Sequence, residues 1–159
     1  MRPRITPLAL GLVGALGACD PMAGVYVRRS LAPAPAPDCV RAALASSPLV
    51  TTVALLDGTP RAGYLGYRVA LRDSAAPAGT REARVELDAD SAGPARLTVA
   101  LIQRGEMTFT LGGERARHLA ALANGVGQAV RAACAPESPG SSTCRVEGFG
   151  PAKSCDVAG

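Results

Sequence analysis

The chain has 159 residues, of which 17 are Lys or Arg and 13 are Asp or Glu, for a net charge of +4 at pH 7. It contains one histidine and no tryptophan. That composition excludes a two-histidine metal centre such as HExxH and leaves a sugar-binding site without indole stacking platforms.

In chain order, Arg2 and Arg4 form a charged start, and Ile5 to Ala18 is a 14-residue uncharged run interrupted only by Pro7 and glycines. A helix needs roughly 20 residues to cross ~30 Å of hydrocarbon, so this run is too short to span. Charge first, then a short apolar run, then small residues is the order of a secretory signal. The run closes on Leu16-Gly17-Ala18-Cys19, which resembles the lipobox of bacterial lipoproteins. The resemblance covers 19 of the 159 residues.

It implies that residues 1–18 are a cleaved signal peptide, that the Cys19 sulfur carries a diacylglyceryl group, and that the new N-terminus is acylated, with palmitate for example. Two or more acyl chains anchor stably where one binds only marginally. The implied address is the bacterial cell envelope, lipid-anchored and facing the periplasm. Asp20 resembles the residue that favours inner-membrane retention in enteric bacteria. An ordinary signal peptide with an incidental Cys19 is the alternative.

Cleavage removes Arg2 and Arg4, leaving 15 basic against 13 acidic residues. So small an excess carries no argument for nucleic acid, and no nucleic-acid partner is expected. Residues 19–37 read as a lipidated Pro/Ala-rich tether. The alternation Ala32-Pro33-Ala34-Pro35-Ala36-Pro37 favours polyproline II at about 3.1 Å per residue, a spacer that lifts a domain off the bilayer. Arg28 and Arg29 are then solvated linker charges or contacts to anionic head groups. Val25-Tyr26-Val27 is alternatively a short edge strand.

The domain is expected over 38–135. Asp38 is a good N-cap, and Val40, Ala43 and Leu44 repeat at helical spacing before Ser46-Ser47-Pro48 ends the element. The period then switches to two. Leu49 to Leu56 is β-rich and closes on the turn signal Asp57-Gly58. Leu65, Tyr67, Val69 and Leu71 alternate with polar or small residues, as do Ala83, Val85, Leu87 and Ala89, and Leu97, Val99 and Leu101. Met107, Phe109 and Leu111 suggest a fifth short strand. Such alternation marks an antiparallel meander with one buried and one wet face. Setting Arg72 opposite Glu82 also sets Arg68 opposite Glu86, a self-neutralised wet face rather than an anion site.

Glu114 to Cys134 reads as a long helix whose stripe Leu119, Leu122, Val126, Val130 and Ala133 lies across the sheet. Gly125 and Gly127 mark either a close approach or a break. The fold class is therefore α+β: a short helix, an antiparallel meander of four to five strands, a long C-terminal helix on one sheet face, and a disulfide-closed tail at 136–159.

Apart from Cys19, four cysteines remain. An even count in an exported chain reads as two disulfides, and Cys39–Cys134 with Cys144–Cys155 is the favoured choice among three pairings. Antiparallel helices on one face would bring Cys39 and Cys134 together. No CxxC spacing supports zinc, so neither metal nor cofactor is expected.

His118 sits on the flank of the helix stripe and reads as a boundary residue, not a general base. No G-x-S-x-G, Walker or S-x-x-K motif is present, and no catalytic residue is assigned. Gly112-Gly113 reads as a strand-to-helix turn. The ligand-binding residues stay unassigned. The expected role is a non-catalytic binding or assembly module for an envelope protein or the cell wall, with an envelope hydrolase as the alternative. Residues 38–159 are expected to fold on their own.

Overall fold

A computed structural model describes residues 22–56, 62–72, 80–89, 93–104, 111 and 113–156. Its architecture is α+β, one antiparallel sheet with two helices. The strands are β1 (Met22–Leu31), β2 (Val50–Leu55), β3 (Tyr64–Leu71), β4 (Glu82–Asp88), β5 (Ala95–Arg104), β6 (Thr143–Gly148) and β7 (Lys153–Ser154). The helices are α1 (Pro37–Ser46) and α2 (Gly113–Cys134). The order across the sheet is β2-β3-β4-β5-β1-β6-β7. The expected meander is the run β2 to β5, and among the described residues the sheet has seven strands rather than four or five.

The additional strands come from segments assigned elsewhere by sequence. Residues 22–31, expected within the tether, are β1, which lies between β5 and β6 and pairs with both. It is a central strand, not an edge. Its odd-numbered residues Ala23, Val25, Val27 and Leu31 are buried, which secures it: each large apolar side chain removed from water contributes about 1.5–3 kcal/mol. The Pro/Ala run at 32–37 is consequently a link from β1 to α1 inside the domain, and not a spacer below it. The tail likewise joins the sheet, through β6 on β1 and β7 on β6.

One buried row crosses five strands: Tyr67 of β3, Val85 of β4, Val99 of β5, Val27 of β1 and Cys144 of β6. This row fixes the β3–β4 register two residues from the expected one. Arg68 faces Arg84, and Glu82 faces Ala70. A two-residue shift keeps every side chain on its own face, so alternation cannot separate the two registers. Burial of the row outweighs a cross-strand charge pair of ~0.2–1 kcal/mol.

The N-cap of α1 is Ala36, without a side-chain bond, and not Asp38. Pro37 opens the helix because its fixed φ suits the first turn. Asp38 stands one residue further on, where a carboxylate favours the helix dipole, and pairs with Arg41 at 3.4 Å. Val40, Ala43 and Leu44 are buried as the periodicity predicts.

α2 buries Ala116, Leu119, Ala120, Leu122, Ala123, Val126, Gly127 and Val130, while Ala133, placed on the stripe by sequence, is exposed. The helix is unbroken at its glycines. At Gly127 a Cβ would lie 3.3 Å from Arg29 Nε and 3.5 Å from Val99 Cγ2, so glycine serves a close approach to the sheet. Cys39–Cys134 joins the start of α1 to the end of α2 with Cα atoms 5.8 Å apart, and Cys144–Cys155 closes the tail at 5.1 Å. These are the two pairings the sequence favours. Leu111 is buried, and the rest of the expected strand around Met107 and Phe109 lies outside the described residues, as does the Asp57-Gly58 turn.

Candidate functional site

The chemistry-bearing side chains are dispersed over this fold. His118 is on the exposed flank of α2, and Cys39, Cys134, Cys144 and Cys155 are held in the two bridges. Among the described residues no three of His, Cys, Asp and Glu come together in a metal-holding group. Cys19 and Asp20 lie outside the described residues, as does Gly112. No helix among the described residues is long and apolar enough to cross a membrane.

Three ion pairs lie on the sheet face opposite the helices. Arg28 meets Glu147 at 3.2 Å, Arg84 meets Glu86 at 3.7 Å, and Arg68 meets Glu82 at 4.0 Å. Arg28 also stacks its guanidinium 5.9 Å from the centre of the Tyr26 ring. Burial pushes the Tyr26 phenol up from its ordinary pKa, with Glu147 adding to the rise. A hollow of about 400 Å³ on this face is bounded by Met22, Leu56, Arg68, Arg84, Ile102 and Arg104.

A second hollow, of about 370 Å³, opens beside the far end of β1. β6 pairs with β1 only as far as Arg28, while β1 continues to Leu31. The chain before β6 crosses the space left, and Arg28, Arg29, Ser30, Arg96, Ser141 and Thr143 are among the residues lining it.

Arg29 occupies a core-facing position and is 4% exposed. Its Nη1 donates to Gly140 O at 2.7 Å and its Nη2 to Asn124 Oδ1, while Nε has no partner. Among the described residues no carboxylate pairs with it. Burial lowers its pKa from the ordinary arginine value, and Arg131 adds to the effect. Arg131 Nη1 donates to Pro136 O at 3.0 Å and Ser138 O at 3.1 Å. Buried Ser138 in turn accepts from Ala32 N at 2.8 Å and donates to Ala32 O at 3.1 Å. Arg29, Arg131 and Ser138 thus pin the segment after α2 against β1.

Chemically the hollow offers guanidinium and hydroxyl donors, and among the described residues no imidazole or carboxylate lines it to activate a hydroxyl as a nucleophile. Such donors suit the oxygen atoms of an anionic or hydroxylated ligand. The sequence reading missed Arg29, treating it as a linker charge. The signal was present in the alternation Val25, Val27, Arg29, Leu31, which places an arginine on an apolar face of period two. Compared with protein-family models, with curated proteins and with solved structures, the chain matches none.

Proposed function

We propose that the chain is a lipid-anchored protein of the bacterial cell envelope, held through acylated Cys19, facing the periplasm, with a non-catalytic domain that binds or assembles with another envelope component. The observation that carries this reading is Leu16-Gly17-Ala18-Cys19 following Arg2, Arg4 and a short apolar run. The two disulfides support it, because such bridges form and persist in oxidising compartments outside the cytosol. The dispersed titratable groups and the donor-lined hollow favour binding over catalysis. The partner is an envelope protein or the cell wall, and Asp20 favours the inner membrane.

The test is fractionation of cells expressing the wild type and Cys19→Ser, with acyl-chain labelling. The wild type is expected in membranes and labelled, and Cys19→Ser soluble and unlabelled. A mutant that stays membrane-bound beside an unlabelled wild type overturns the proposal. Crosslinking of the anchored protein in its native envelope then identifies the neighbour.

A further inference from the structure

We infer that the end of the sheet where β1 begins is a membrane-contact surface, and that the domain lies directly on the bilayer with Phe149 and Met22 at head-group depth. The inference rests on the lipid-anchored reading and follows from chain length. Only Asp20 and Pro21 separate Cys19 from Met22. Three residue steps of fully extended chain reach about 10–11 Å, and the polar zone of one leaflet is itself roughly 5–8 Å deep. With Cys19 anchored, the first residue of a central strand has no room to leave the membrane surface.

The residues at that end suit the location. Met22 pairs with Arg104 at the end of β5, and Phe149, just past β6, donates its N–H to Met22 O at 3.3 Å. Two residues inward, on the same face as Met22, Ile102 pairs with Gly24. The exposed large hydrophobics among the described residues are Met22, Leu55, Ile102 and Phe149. Three of these four cluster at this one end, and Leu55 stands apart on edge strand β2. Phe149 is 68% exposed, which for an isolated aromatic ring in water has no compensating contact, whereas an interfacial ring sinks into the head-group and acyl boundary. Arg104 beside Met22 adds positive charge to this end, which suits a surface of anionic lipid head groups.

The chain has no tryptophan, which makes a single reporter clean. Phe149→Trp, and separately Leu55→Trp, are placed in the full chain with Cys19 intact, purified in detergent and reconstituted into phosphatidylethanolamine–phosphatidylglycerol vesicles. Expected for Phe149→Trp is co-flotation with vesicles, blue-shifted emission, quenching by brominated lipid and protection from aqueous iodide. Leu55→Trp is expected to float equally while remaining iodide-accessible and unshifted. Flotation with a Phe149→Trp signal as iodide-accessible as that of Leu55→Trp overturns the contact surface and leaves the anchor standing. Failure of both to float, with acyl labelling absent, overturns the anchor and the contact surface together.

Discussion

Tyr67 shows how one buried polar group ties helix to sheet. Its ring is in the buried row, and its hydroxyl donates to Pro37 O at 2.9 Å where α1 begins. Burial raises its pKa above the ordinary value of 10.0. The folded state therefore keeps a proton that the unfolded chain releases, so stability is full below pH 10.0 and is lost as pH rises above it. Tyr67→Phe is expected to cost about 1 kcal/mol at neutral pH from the lost hydrogen bond. It should also flatten the alkaline fall in stability, read by denaturant titration between neutral and alkaline pH. A variant whose alkaline slope equals that of the wild type would place the effect on Tyr26, whose pKa burial also raises. Arg29 is the other decisive residue. A guanidinium in a core position is costly to desolvate, and here its donors are directed at Gly140 O and Asn124, so charge is used to fix a chain crossing.

Among the elements, the two bridges differ chiefly in the loops they close. Cys39–Cys134 spans 95 residues of sequence and Cys144–Cys155 spans 11. Cross-linking entropy grows with the logarithm of loop length, so losing the first should cost about 2 kcal/mol more than losing the second. Urea midpoints of Cys39→Ala/Cys134→Ala and Cys144→Ala/Cys155→Ala, measured with the other bridge intact, test this. Equal losses would mean that unfolded-state entropy is not what the long bridge supplies. α2 and α1 were legible because their apolar positions recur at helical spacing. β2 to β5 were legible because theirs alternate. β1 was not assigned as a strand of the core: it is preceded by a signal-like run and followed by a Pro/Ala run, and both neighbours suggested an extended linker. The β3–β4 register was misread because charge pairing is a weak local term beside burial of the Tyr67–Val85–Val99 row.

For the molecule as a whole, the placement of β1 reverses an expectation about which part folds alone. β1 is the shared neighbour of β5 and β6, so a chain beginning at Asp38 has its sheet divided and lacks the fully buried Val25, Val27 and Leu31. At about 1.5–3 kcal/mol for each side chain, that loss is comparable to the whole stability of a typical domain, roughly 5–15 kcal/mol. Residues 38–159 alone are expected to show no cooperative thermal transition by circular dichroism, and a chain beginning at Asp20 to show one. A cooperative transition in the shorter chain would refute the central role of β1.

The sequence by itself determined the α+β class, the helices, the meander strands and the number of disulfides, because periodicity and cysteine count are local or countable properties; the observed partners were the favoured choice among the three pairings that four cysteines allow. It also carried the lipobox resemblance at Leu16-Gly17-Ala18-Cys19 on which the proposed anchor rests. Only the tertiary structure decided that residues 22–31 are a central strand, that the tail joins the sheet, and that Arg29 is inside. Those outcomes depend on which strands share a neighbour, a long-range pairing set by packing of a common buried row and not by any residue's immediate surroundings.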